Sequence, residues 1–222
     1  MILSHALRAA KQTTFSYQAS YIDTSSQTTR TISSVDFGEA SPTREIFVVV
    51  RYSNSTATTI SSATIGGVSA TISAGASAGA QGAALIFATV PTGTSGNVVI
   101  TYSNATTNSV AFVYRVTNRR NMGTTAINTY GDTGGVSRTS YTSPTVAFPE
   151  NGFVLTIISH NSTTNLTFSG SGITIDGDVY SDSSNRAGAS YNNLGKSAFS
   201  GTYTITWGGT SGTTLSRIWT FN

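Results

Sequence analysis

Two histidines, nine carboxylates and no cysteine are the whole stock from which this chain could assemble a conventional catalytic site. Serine and threonine hydroxyls are abundant, but a hydroxyl nucleophile needs an adjacent base and a group to orient that base. His5 and His160 lie far apart in the sequence, and neither is near a Gly-X-Ser-X-Gly turn. No catalytic residue is therefore expected, and the chain reads as a non-enzyme.

Paired carboxylates are the other route to hydrolysis, and they must flank a substrate. Asp23, Asp36, Glu39, Glu45, Asp132 and Glu150 stand singly in turn-like contexts, where a carboxylate bonds the local backbone. Asp176-Gly177-Asp178 with Asp182 is the exception, a weak candidate for Ca²⁺, which takes six to eight oxygens. The spacing lacks the terminal bidentate Glu of an EF-hand, so the stretch reads better as a polar hairpin turn. No cofactor is expected: the small-residue run Gly75–Gly82 has no Gly-Lys-Ser/Thr ending and reads as a loop.

Composition narrows the class of function further. Charged residues make up 9% of the 222, and 12 basic side chains are scattered among 9 acidic ones. That is no Lys/Arg stripe of the kind nucleic-acid binding uses, so no nucleic-acid partner is expected. No stretch is apolar enough to span a membrane, and Met1–Lys11 has no apolar signal core. The absence of cysteine suits a bacterial, viral or cytoplasmic origin.

The elements that must carry these residues are strands. Runs of Val, Ile, Thr, Tyr and Phe, punctuated by Gly, Asn, Asp and Ser, extend from Thr13 to the end. Ile46-Phe47-Val48-Val49-Val50 is continuously apolar and predicts a strand covered on both faces. Tyr203-Thr204-Ile205-Thr206-Trp207 alternates and predicts one wet face. Only the first residues offer helical spacing, with Ile2, Leu3, Ala6, Leu7 and Ala10 on one side. Ile2, Leu3 and Leu7 are the candidates for anchoring a partner.

Internal similarity is present. Gly96–Tyr102 resembles Gly201–Trp207, and Val110–Val116 resembles Leu215–Phe221, both at an offset of 105. Ile46–Asn54 resembles Phe153–Asn161 at an offset of 107. The expected fold is all-β: an antiparallel β-sandwich, immunoglobulin-like or jelly-roll-like, built from two related halves with a short N-terminal arm or helix. The divisions are an arm at 1–12, a first β-unit at 13–117, a crossover at 118–143 and a second β-unit at 144–222. Trp207 and Trp219 take the place of bulky residues in the first repeat, which argues for core filling rather than for a sugar platform.

Ile32–Gly38, Arg44–Val50, Thr64–Thr71 and Val90–Gly96 resemble small all-β structural proteins of tailed bacteriophages. The resemblance implies a virion building block: a capsid decoration, cement or spike protein, or a tail component, assembled in the host cytoplasm. Implied partners are other virion proteins (the major capsid protein or tail proteins) and further copies of the chain in a homo-oligomer. The alternative is a tail-fibre or receptor-binding module that recognises host-surface glycans.

Overall fold

The structure is a computed structural model and describes residues 12–54, 56–78, 81–123, 126, 128–132, 138–160, 166–169, 174–182, 185–192, 198–211 and 214–222. The predicted N-terminal arm, with Ile2, Leu3 and Leu7, lies outside the described residues. Within them there are strands and no helix. The first set is β1 Thr14–Asp23, β2 Gln27–Asp36, β3 Glu45–Ser53, β4 Ile60–Ile65, β5 Val68–Ser69, β6 Thr71–Ala78, β7 Gln81–Thr89, β8 Ser95–Thr106 and β9 Asn108–Thr117. The second is β10 Asn128–Asp132, β11 Arg138–Thr142, β12 Val146–Phe148, β13 Phe153–His160 and β14 Leu166–Ser169. It continues with β15 Thr174–Asp182, β16 Asn185–Asn192, β17 Phe199–Gly201, β18 Thr204–Ser211 and β19 Thr214–Phe221.

All pairings are antiparallel. The sheets stack in four layers. An outer sheet, β2-β8-β4-β5, covers an inner sheet, β1-β9-β3-β7-β6. A second inner sheet, β10-β19-β13-β16-β15, is covered in turn by β11-β18-β14 and β12-β17. The inner sheets face each other: β3 lies on β13, β6 and β7 on β19, and β1 and β9 on β15.

Periodicity follows from layer position. The inner strands are buried on both sides, so β3 can spend every residue on apolar contact. Its Ile46, Val48 and Val50 point to the first outer sheet, while Phe47 and Val49 point to the other inner sheet. Strands β9, β13 and β19 behave alike. The outer strand β8 alternates: Val98, Ile100 and Tyr102 are buried and their neighbours are not. Strand β18 repeats that pattern with Ile205 and Trp207, continuing the alternation from Tyr203 just before it.

Three cores result. The middle one is aromatic, with Phe47, Phe87, Phe112, Phe153, Trp219 and Phe221 between the inner sheets. Phe153 stacks on Phe221 at 4.8 Å, and Phe47 meets both edge-on at 5.7 and 5.3 Å. Each fully buried side chain of this size contributes about 1.5–3 kcal/mol, so the inner sheets are held as firmly as a domain interior.

Two readings of the sequence change. The Gly75–Gly82 run is no loop, because β6 and β7 occupy it on either side of residues 79–80, with Ser77 opposite Gly82. Small residues are required there: a Cβ on Gly82 would sit 2.3 Å from the Tyr52 ring, and one on Gly75 1.8 Å from the Ala83 carbonyl oxygen. The stretch 118–143 is also more than connection. Strand β10 pairs with β19 and β11 with β18, so part of it builds the second pair of layers. Gly66 and Gly67 form the turn between β4 and β5, with φ of +59° and +81°. Both central residues at positive φ are what a two-residue hairpin between Ile65 and Val68 demands.

Candidate functional site

A cleft of about 400 Å³ opens on the flank of the first pair of layers, where the edge strands β1 and β2 diverge. Ile100 and Ala111 reach up from the core, Tyr21 and Ile32 form walls, and Arg30 and Asp23 close one end. Ile22 at its rim is 48% exposed, the most exposed large hydrophobic among the described residues.

The charged groups of this cleft are already committed. Arg30 Nη1 pairs with Asp23 Oδ2 at 2.7 Å and donates to the Asp23 carbonyl at 3.0 Å. Nη2 donates to the carbonyls of Ser25 and Thr106, and Nε to the Thr106 hydroxyl. These contacts use all five guanidinium protons. Burial pushes the Asp23 carboxyl up, but hydrogen bonds from the Ser25 side chain and backbone and from Arg30, together with the Arg30 charge, outweigh it and bring it down to about 2. The ion pair is a brace between β1, β2 and β8, and it leaves no free charge for a ligand.

Other arginines are braces as well, a role their scattered spacing does not reveal. Arg44 donates to the carbonyls of Val90, Gly38, Thr92 and Gly93 at 2.7–2.8 Å, pinning two loops. Burial, with the nearby Arg115 charge, lowers its affinity for a proton. Arg51 donates to Ser159 across the inner sheets at 3.1 Å and to Asn108 within its own sheet. Arg119 makes a bidentate pair with Glu45, at 2.6 and 2.7 Å, and lies 5.3–5.5 Å from the ring centres of Phe47, Phe87 and Phe221. Four of the chain's cations are thus inside the protein, and its exterior is less charged than composition implies.

The exterior is hydroxylic instead. On the first outer sheet, Thr29, Thr101 and Ser62 stand side by side across three strands, next to a Thr31, Val99, Thr64 row. The opposite outer sheet carries Ser140, Thr206 and Thr167 beside Thr142, Thr204 and Ser169. The Thr142 and Thr204 hydroxyls hydrogen-bond at 3.0 Å.

Among the described residues, those able to carry chemistry do not converge. His160 is fully buried at the end of β13 and stacks on Trp207 at 5.2 Å; His5 lies outside the described residues. Ser77, in a literal Gly-X-Ser-X-Gly string, sits inside a strand and not on the strand-to-helix turn of a nucleophile elbow. Asp176, Asp178 and Asp182 are strung along β15, with Asp178 opposite Gly188 and only Asp182 near the hairpin end. That corrects the hairpin-turn reading, and six residues of strand separate the outer two backbones by about 20 Å. Among the described residues no cluster of three His, Cys, Asp or Glu is placed to hold a metal. Trp207 and Trp219 are 4% and 0% exposed and fill cores. No protein-family model matches the sequence, and comparison with curated proteins finds no relative.

Proposed function

We propose that the chain is a non-enzymatic structural component of a bacteriophage particle, decorating or reinforcing the capsid exterior, and that it is built from two related halves. The observation that carries the reading is the strand order. Substituting β10, β13, β15, β16 and β19 for β1, β3, β6, β7 and β9 turns one inner sheet into the other. The outer layers correspond in the same way, with β11 and β12 for β2, β14 for β4, and β17 and β18 for β8. In the first half the order β1-β9-β3-β7 in one sheet faces β2-β8-β4-β5 in the other, and the corresponding strands of the second half follow the same order. This is jelly-roll wiring, an architecture recurrent in viral capsid and lectin domains.

Side chains support the repeat. Tyr52 and Tyr102 face each other at 5.1 Å in the first half, and His160 and Trp207 stack at 5.2 Å at the corresponding place in the second. A cysteine-free body with few charges, three cores and several arginines bonded internally suits a part that must persist outside the cell. The glycan-binding alternative has no exposed tryptophan among the described residues to serve as a platform.

The test is quantitative protein analysis of gradient-purified particles of the phage that encodes the chain, with antibody labelling in the electron microscope. The expected result is a fixed copy number per particle and label on the capsid shell. Absence from purified particles would overturn the reading, and label confined to fibre tips together with glycan binding would favour the alternative.

A further inference from the structure

The way the inner sheets meet carries more than their similarity. Under the strand correspondence, the contact of β3 with β13 is equivalent to itself, and the contact of β6 with β19 is equivalent to that of β15 with β9, while those of β7 with β19 and β1 with β15 have no counterpart of like extent and mark a sideways offset of the sheets. Reciprocity of this kind marks an isologous interface, in which residue i of one subunit touches j of the other and j touches i.

Equivalent positions of β9 and β19 both reach the opposing edge strand. The Phe112 ring of β9 lies so close over Gly177 of β15 that a Cβ there would be 2.5 Å from it. The residue of β19 that corresponds to Phe112, at the offset of 105, is Arg217. Arg217 Nη2 donates to the carbonyl of Gly75, on β6, at 2.6 Å. Gly75 lies within the β-bulge between Ser73 and Ala76 of its edge strand and Gly177 just after the one that follows Ile175; the pairing registers set Gly177 against Ser73, so the two contacts match strand for strand and not residue for residue.

We propose that the two halves meet as the subunits of a symmetric homodimer do, the chain being a covalently tied pseudo-dimer whose two-fold axis passes where β3 crosses β13. The inference rests on the reading of two related halves and adds their geometric relation. Its consequence is bivalence: the two hydroxylic outer faces are equivalent surfaces turned in opposite directions. A partner that recognises one can be bridged to a second copy of itself through the other.

The places where β1 begins and β19 ends provide the test. Asn118 donates to the Gln12 carbonyl at 3.4 Å, and Asn121 to Asn222 at 2.9 Å, so the residue ahead of β1, the segment after β9 and the residue after β19 come together. Two-fold symmetry makes the path from β19 back to β1 equal to the natural path from β9 to β10. A permuted chain would begin at Ala126, run to Asn222, repeat residues 118–125 as a join and continue from Thr14 to residue 125.

The expected product is a single species of monomer mass that unfolds in one transition, melting within about 10 °C of the natural protein. As a second measurement, the natural chain carrying a protease site after Gly123 is cut there and weighed by light scattering, where one particle of undiminished mass is expected. A permuted chain that unfolds in two steps or fails to fold, with the cut chain still joined, would show adhesion without two-fold equivalence and overturn the proposal. A cut chain that separates into fragments would overturn it outright. Neither measurement involves a phage particle, so failure of the virion assignment would be seen separately.

Discussion

Removing one partner of the Glu45–Arg119 pair is the sharpest test of how the inner sheets are joined. Glu45 opens β3 in the first half, Arg119 follows β9, and the ring of Phe221 from β19 closes over the guanidinium. The two side chains are 0% and 1% exposed, so solvent screens almost nothing. Glu45→Gln leaves Arg119 charged, buried and without its counter-ion. Unit charges about 4 Å apart at an effective dielectric near 20 interact by about 4 kcal/mol, and breaking buried pairs costs about 3–5 kcal/mol. The Gly123 N–H, which donates to Glu45 at 2.8 Å, retains an acceptor in the glutamine variant, so the loss reports the charge. Equilibrium unfolding in guanidinium chloride is the assay, followed in parallel by far-ultraviolet circular dichroism and by tryptophan fluorescence. With a slope of about 4 kcal/mol per molar, the midpoint falls by about 1 M. Because both tryptophans lie in the second half, coincidence of the two probes shows whether the halves still unfold together. Glu45→Leu with Arg119→Met removes both charges at similar volume and should recover most of the loss. A midpoint shift below about 0.25 M for Glu45→Gln, or a double variant no better than the single, would refute the reasoning.

Two further outcomes follow from local geometry. Gly82→Ala places a methyl 2.3 Å from the Tyr52 ring; overpacking of this kind costs about 1–3 kcal/mol, and Tyr52→Leu in the same chain should restore part of it, which thermal melting checks. Asp23 has a carboxyl held down at about 2, so its ionised form stabilises the folded state above about pH 4, and that contribution disappears as pH falls through about 2. Since the side chain is 36% exposed, screening keeps the effect below about 1 kcal/mol. Asp23→Asn should therefore be slightly less stable than the natural protein at pH 7 and equal to it near pH 2, and a difference unchanged between those pH values would disprove the linkage.

Strand identity was legible because burial leaves a period in the residues. The unbroken run Ile46–Val50 could only belong to a layer covered twice, and the alternation from Tyr203 to Trp207 only to one covered once. Register is finer than composition can reach. The offset of 107 between Ile46–Asn54 and Phe153–Asn161 rests on matching asparagines, yet it sets Ile46, which faces an outer sheet, against Phe153, which faces the opposing inner sheet. A slip of one residue exchanges the faces of a strand. The hydrogen-bonded registers, Phe47 opposite Tyr114 and Leu155 opposite Trp219, require 108 once β9 and β19 are related by 105.

The braces were illegible for a different reason. An arginine committed to carbonyls 46–49 positions away, as Arg44 is to Val90, Thr92 and Gly93, leaves no pattern in its own neighbourhood. Its partners are backbone atoms, which every residue type supplies. The same holds for Gly75 and Gly82, whose small size answers to a carbonyl and a ring brought in by pairing. A chain this poor in charge spends several of its guanidinium groups on loops and joins that carry few apolar residues, where each offers five donors in a rigid fork. What remains outside is hydroxyl on both terminal faces, and contact with a partner there must rest on hydrogen bonding and shape. Binding through those faces should accordingly vary little with salt, whereas a charge-steered contact would weaken as ionic strength rises.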